Sequence, residues 1–159
     1  MFLVLACQNH LLPAHFLDTV KQLANTPNHY DLTHAYLMLQ WLEELQCNQI
    51  DWLKEQRLKQ QLKQQLINLL YTTDNHWQDV YLEALALLYY TDNNFKLPND
   101  WLREIISAQQ NDGGWKYASE SSQSSAHATV FGLWILLAST TNSPTPIPWI
   151  YPTINNHIK

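Results

Sequence analysis

Four ionisable side chains stand where three apolar helical segments are expected to begin. His34, Glu83 and His127 lie near the starts of these segments, and Asp79 precedes Glu83 by one helical turn on the same face. Because burying ionisable side chains unpaired is costly, their occurrence on apolar helices favours a cluster in which they pair with one another. If the three faces converge, these side chains meet. The group then suits either general acid–base catalysis, or a Zn or Fe ion bound by His34, Glu83 and His127.

Aromatic side chains follow on the same helical faces. Each segment carries one seven residues after its histidine or glutamate, and the last segment carries a second one after four residues. These side chains are Trp41, Tyr90, Phe131 and Trp134. Positions i, i+4 and i+7 share one face of a helix, so the pattern predicts an aromatic cavity beneath an ionisable mouth. Such a cavity suits a small apolar or sugar-like ligand. Ordinary core packing is the alternative.

Structural roles are also an alternative for each ionisable residue taken alone. Asp79 can be a first-turn acid that complements the helix dipole. His34 can hydrogen-bond to a helix end, and His127 follows a serine-rich loop that brings solvent close to it. The sequence has no HExxH-type metal motif, and no sharp turn that would present a serine nucleophile to His127.

The composition excludes several classes of protein. The chain has 159 residues, of which 46% are hydrophobic and 14% charged, which argues against disorder. The net charge is -5 and there is no basic run, so nucleic acid is not expected as a partner. No apolar run approaches the roughly 18 residues of a membrane span.

Six helices are needed to position these side chains, because the hydrophobic periodicity is helical throughout. Their expected ranges are 14–24, 31–46, 52–71, 77–90, 101–110 and 124–139. The first, third and fifth are amphipathic. The second, fourth and sixth are apolar nearly all round, so they are expected to be buried on every side. Asp31 is expected to cap the second helix.

The alternation of helix types predicts an all-α fold of three helical hairpins, each with one outer and one inner helix. A single domain covers residues 1–159. Its last part, 141–159, is a proline-rich tail that is expected to lie extended on the surface.

A short motif between the fifth and sixth helices resembles a known repeat. The residues Gln109, Asp112, Gly113, Gly114 and Trp115 follow an amphipathic helix and precede an apolar one. They are similar to the QW repeat of the terpenoid cyclase and protein prenyltransferase superfamily. Because Gly113 can adopt a positive φ, the chain can turn there. The tryptophan can then fold back on a neighbouring helix end.

The resemblance implies an α/α toroid in which the motif is structural: its Gln ties helix ends together and its Trp packs on the junction. Three hairpins make roughly half of the six-hairpin barrel, so the chain is expected to form an open groove or to close the ring as a homodimer. The motif occurs once. The sequence lacks the DxDD motif of hopene cyclases and the zinc Cys–His–Asp pattern of CaaX prenyltransferases, so no catalytic residue carries over.

The two cysteines, Cys7 and Cys47, have no CxxC spacing, so neither a zinc site nor a disulfide is indicated, and a reducing compartment such as the cytoplasm is favoured. The start, MFLVLAC, is expected to pack on the first helix as a short apolar segment. The alternative is the end of a lipoprotein signal, with a periplasmic location, if the true start lies upstream.

Three functional hypotheses follow. The first is an enzyme or enzyme fragment that acts on a lipid-like or sugar-like substrate through His34, Asp79, Glu83 and His127. The second is a non-catalytic module that binds a small apolar ligand or a peptide. The third is a structural domain that forms a homodimer.

Overall fold

The computed structural model describes residues 2–8, 11–47, 51–92, 94–140 and 148–152. Within these ranges the chain is mostly helical, with one pair of two-residue strands, so the all-α prediction is confirmed. The chain divides into two compact units, Met1–Lys63 with Ile147–Lys159, and Gln64–Pro146. The predicted extended tail lies outside the described residues except for 148–152, which are not helical.

The six predicted helices are all present, with ends that differ from the expected ones by at most three residues. The described elements are, in chain order, α1 (Phe2–Leu5), α2 (Phe16–Ala24), α3 (His29–Glu44), α4 (Trp52–Tyr71), α5 (Asp79–Thr91), α6 (Asn99–Ser107), β1 (Trp115–Lys116), β2 (Ser124–Ser125) and α7 (Ala126–Thr140). The boundary between the two units falls within α4.

In the first unit, α3 packs against both α1 and α2. The prediction that Asp31 caps α3 is wrong. The helix starts earlier, because Asn28 has the extended backbone of an N-cap and its side chain accepts a hydrogen bond from the Tyr30 N–H at 3.2 Å. Asp31 instead lies in the first turn, where its carboxylate accepts a hydrogen bond from the Thr26 hydroxyl at 2.6 Å.

A disulfide joins Cys7 to Cys47, so the expectation of two separate thiols is wrong. The short helix α1 packs on α3 and brings the two Cα atoms to 5.9 Å, although 40 positions separate them in sequence. The Gln8 side chain supports the same contact by donating to the Leu45 carbonyl at 3.1 Å.

In the second unit, α5 and α7 pack against each other. Most of α5 is buried, as its all-round apolar sequence predicts. The strands β1 and β2 form a small antiparallel pair beside α7 that the sequence did not reveal, because two residues are too few to show alternation.

The expectation that α7 is buried on every side is wrong. Its side chains Val130, Leu133 and Leu137 are 58%, 46% and 67% exposed. The buried face of α7 is formed by Ala128, Gly132, Ile135 and Ala138. Helix α7 therefore presents an apolar stripe at its surface.

Candidate acid–base site

The side chains of Asp79 and His127 form a hydrogen-bonded pair in the Gln64–Pro146 unit. Asp79 is the first residue of α5 and His127 the second residue of α7, and these helices pack together. The Nδ1 atom of His127 lies 2.9 and 2.8 Å from the two carboxylate oxygens of Asp79. Because an ionised carboxylate only accepts hydrogen bonds, Nδ1 carries the proton and donates it.

The two partners differ in their exposure to solvent. The Asp79 side chain is 2% exposed, whereas that of His127 is 50% exposed. The carboxylate thus holds the imidazole from the protein side while the ring reaches the surface. A carboxylate in this position selects one tautomer of the imidazole and stabilises the imidazolium that forms when the ring takes up a second proton.

The strand pair determines where both partners stand. Helix α7 begins directly after β2, which places His127 beside the strands. On the other side, the backbone N–H of Asp79 donates to the carbonyl oxygen of Tyr117, the residue after β1, at 3.2 Å. One small β-structure therefore contacts the starts of α5 and α7.

The motif at residues 109–115, which we call the joint, connects α6 to β1. Gly113 has a φ of +85°, in the left-handed region that favours glycine, as the sequence predicts. The Gln109 side chain donates from Nε2 to the Gly113 carbonyl at 2.8 Å. The glutamine of the motif thus ties the turn to the end of α6.

Gly114 is required for a different reason, because no space exists for a side chain there. A Cβ atom on Gly114 would lie 2.6 Å from the Cβ of Ser124 and 2.7 Å from the Oγ1 of Thr129. The Asp112 carboxylate closes the turn by accepting hydrogen bonds from the Gly114 N–H at 3.0 Å and the Ser124 hydroxyl at 2.8 Å. These two hydrogen bonds lower the pKa of Asp112 below its ordinary value.

Trp115 fastens the joint to both neighbouring helices. Its side chain is fully buried, and its indole N–H donates to the carbonyl oxygen of Ile105 in α6 at 2.8 Å. Its backbone N–H donates to the hydroxyl of Thr129 in α7 at 3.1 Å. The ring lies so close to Gly132 that a Cβ atom there would be 2.6 Å away. Trp115 therefore contacts both α6 and α7.

Of the four ionisable residues predicted to form a site, the structure brings Asp79 and His127 together. Glu83 lies one turn further along α5 and is also buried, at 2% exposure. His34 belongs to α3 in the other unit, where its ring centre is 6.3 Å from that of Tyr30. Among the described residues, no group of three His, Cys, Asp or Glu side chains is arranged to hold a metal ion. The Zn or Fe hypothesis stays a prediction.

The structure brings some of the aromatic side chains predicted to line a cavity close to one another. The ring of Phe131 stands edge-on to that of His127, with 4.8 Å between ring centres. Further along α5 and α7, Tyr90 and Trp134 form a second edge-on pair, with 6.2 Å between ring centres. Trp41 lies in α3, in the first unit. Aromatic rings therefore continue from the histidine along α7, and the cavity itself stays a prediction.

A second histidine–carboxylate pair, His76 with Glu104, was missed by sequence reasoning. His76 is 4% exposed; its Nδ1 lies 2.7 Å from one oxygen of Glu104, and its Nε2 lies 2.9 Å from the Leu70 carbonyl. Its ring stacks on that of Trp101 with 4.0 Å between centres. No local pattern indicates these contacts, because Glu104 lies 28 residues away in sequence. Since protein groups occupy both ring nitrogens, we assign His76 a structural role.

The first unit contains a buried acid that the sequence also did not single out. Glu55 is 2% exposed, and its Oε1 atom bonds to no described residue. Burial, together with the negative charge of Glu43, raises the pKa of Glu55 from 4.5 to about 7, against the opposing effect of Lys59. The Lys59 ammonium is engaged by the Glu43 carboxylate and, at 2.5 Å, by the Gln40 side chain.

Replacing Glu55 with glutamine is expected to remove a pH dependence of stability. Below pH 4.5 the acid is protonated in both the folded and the unfolded chain, so its ionisation does not change the free energy of unfolding. Between pH 4.5 and about 7 only the unfolded chain loses the proton, so the stability falls. At about pH 8, Glu55→Gln is therefore expected to be more stable than the parent chain by about 1–2 kcal/mol, after allowance for solvent screening.

Urea denaturation across this pH range measures the effect. The two proteins should coincide at about pH 4 and separate as the pH rises. Glu120→Gln makes the same chemical change at an exposed position outside the helices and is the matched control, for which no comparable gain in stability is expected as the pH rises. Parallel curves for Glu55→Gln and the parent chain would refute the expectation.

Comparisons of this chain with protein-family models, with curated proteins and with solved structures find no match. None of the helices among the described residues is long and apolar enough to cross a membrane.

Proposed function

We propose that the Gln64–Pro146 unit is catalytic and uses His127, held by Asp79, as a general acid and base. The observation that carries this proposal is the buried Asp79 carboxylate, both of whose oxygens lie within 2.9 Å of Nδ1 of a half-exposed imidazole. Burying a carboxylate is costly unless it is paired and hydrogen-bonded. A surface histidine with no chemical role does not require such a partner.

The chemistry follows from the geometry of the pair. With Nδ1 held by Asp79, Nε2 is the ring nitrogen through which His127 takes up and returns a proton. The negative charge of Asp79 stabilises the imidazolium formed in between. Reactions that need one proton moved at the reacting centre, such as hydrolysis or elimination, are within reach of this pair.

The same proposal includes the architecture and the substrate class. The contacts of Gln109 and Trp115 support the resemblance to terpenoid cyclases and protein prenyltransferases, and with it a toroid-like α/α array of about half a ring. The rings of Phe131, Tyr90 and Trp134, which follow His127, support a lipid-like or sugar-like substrate.

A second candidate function is a structural domain that forms a homodimer. The observation that favours it is the exposed stripe of Val130, Leu133 and Leu137 on α7. Contiguous exposed apolar side chains often mark interaction surfaces. Light scattering over a range of concentrations tests this candidate, since the average molecular mass of a protein that dimerises reversibly rises with concentration.

The catalytic proposal is tested with p-nitrophenyl acetate, an activated ester that reports on accessible bases. His127 is expected to take a proton from water, which attacks the ester carbonyl and expels p-nitrophenolate. His127→Gln and Asp79→Asn are each expected to lower the rate by about tenfold or more. The first removes the base, and the second removes the charge that stabilises its protonated form.

Two measurements make this test decisive. His15→Gln, which changes an exposed histidine of the first unit, should leave the rate almost unchanged. Circular dichroism should show that the His127 variant keeps the helical content of the parent chain. A folded His127→Gln variant with the parent rate would contradict the proposal.

A further inference from the structure

A groove of about 410 Å³ lies on the Gln64–Pro146 unit, outside the His127 pair. It is formed by the loop before α5, the end of α6, the joint and the segment around β1. Its volume falls in the range of roughly 300–1,000 Å³ that is typical of small-ligand sites. Its lining includes one indole and several polar side chains, namely Trp77, Glu104, Ser107, Gln110, Lys116 and Ser119.

Several of the polar groups in this groove are already fixed in place. The two oxygens of Glu104 accept hydrogen bonds from the backbone N–H and the ring of His76, at 2.8 and 2.7 Å. The Gln110 side chain donates to the Ala108 carbonyl at 2.7 Å, which leaves its amide oxygen as an acceptor. The Ser107 hydroxyl donates to the Glu104 carbonyl at 2.9 Å and can still accept. Fixed groups bind a ligand with little loss of side-chain freedom.

The donors in the groove complement these acceptors. Within the described part of the chain, the ammonium of Lys116 forms no ion pair, not even with Glu104, which lines the same groove. The indole N–H of Trp77 bonds to no described residue, and its ring is partly exposed. One positive and one negative group balance each other, so the groove does not select for a strongly charged ligand.

We propose that this groove binds a short neutral saccharide, with a sugar ring stacked on Trp77. Sugar hydroxyls both donate and accept, so they match a lining that offers Glu104 and Gln110 as acceptors and Lys116 as a donor. The C–H face of a pyranose is apolar and packs on an aromatic ring. This site does not depend on the acid–base proposal, because none of its residues belongs to the Asp79–His127 pair.

Two-dimensional ¹H–¹⁵N NMR titration with cellobiose, maltose and lactose tests the proposal. At least one disaccharide is expected to shift the Trp77 indole resonance saturably, with a Kd of about 1–10 mM. In the variants the affinity is read from the backbone amide resonance of Ser119, which lines the same groove. Trp77→Ala should weaken that affinity at least tenfold, and Lys116→Ala and Gln110→Ala by about threefold each. Lys96→Ala and Gln123→Ala, which change exposed side chains of the same unit outside the groove, should bind as the parent chain does.

The outcomes separate cleanly. No saturable shift with any of the three disaccharides, or equal affinity in the Trp77, Lys116 and Gln110 variants, would overturn the saccharide site. Saturation by glycine or phenylalanine at lower concentration than any disaccharide would assign the groove to zwitterionic ligands instead. His127→Gln is expected to bind the disaccharide normally, so a failure of the ester test leaves this result standing.

Discussion

Trp115→Ala is expected to destabilise the Gln64–Pro146 unit by about 3–5 kcal/mol, the cost of removing a large aromatic side chain from a packed interior. The indole is completely buried, touches Gly132 in α7, and donates to the Ile105 carbonyl in α6. The substitution therefore leaves a cavity beside α7 and an unsatisfied carbonyl in α6.

Urea denaturation followed by circular dichroism measures this loss. Trp115→Phe keeps most of the ring but not the N–H, so it should cost less than the alanine variant. Trp77→Ala removes a partly exposed indole from the same unit and is expected to cost about 1 kcal/mol. A loss below about 1 kcal/mol for Trp115→Ala would contradict the central role of this ring.

The joint is the part of the site that the sequence predicted best. Two adjacent glycines between helices of different character indicate a tight turn, and Gly113 does adopt the expected positive φ. The sequence also predicted that Trp115 packs on a helix junction. It could not name Ile105 and Gly132 as the partners, because these contacts depend on how the helices cross.

The ionisable group was predicted in part, for a physical reason. Hydrophobic periodicity shows which residues share a helical face, so Asp79 and His127 were found at the starts of apolar helices. Periodicity does not show which helices are neighbours. Helix α5 packs on α7 within one unit, whereas His34 lies on α3 in the other.

Features that depend on tertiary neighbours were missed. The Cys7–Cys47 disulfide requires α1 to fold onto α3, which cysteine spacing alone does not show. The raised pKa of Glu55 requires burial next to Glu43. Helices α5 and α7 are both apolar nearly all round, yet α7 has an exposed stripe. The sequence does not show which apolar faces are covered by neighbouring elements.

The close packing of Gly114 suggests how the joint and the acid–base pair depend on each other. Ser124, which a Cβ on Gly114 would strike, belongs to β2, and α7 with His127 starts directly after β2. The carbonyl oxygen of Tyr117, the residue after β1, accepts a hydrogen bond from the backbone N–H of Asp79. A side chain at position 114 is therefore expected to displace the β1–β2 strand pair, which positions both Asp79 and His127.

Gly114→Ala is accordingly expected to cost about 3 kcal/mol of stability, at the upper end for overpacking, since both Ser124 and Thr129 must move. The same displacement should lengthen the contact between His127 and Asp79. In the ¹⁵N NMR spectrum of the imidazole, the Nδ1 signal should lose the signature of a nitrogen that donates to a carboxylate.

Gly113→Ala is the matched control, because it makes the same chemical change one residue earlier. A Cβ atom on Gly113 meets nothing within 4 Å, so this variant suffers only the strain of a positive φ, about 1–2 kcal/mol. It should leave the Nδ1 signal of His127 unchanged. If the two alanine variants lose equal stability and His127 keeps its spectrum in both, then the joint turns the chain without positioning the pair. If only Gly114→Ala changes the spectrum, the position of His127 depends on the absence of a side chain thirteen residues earlier in the sequence.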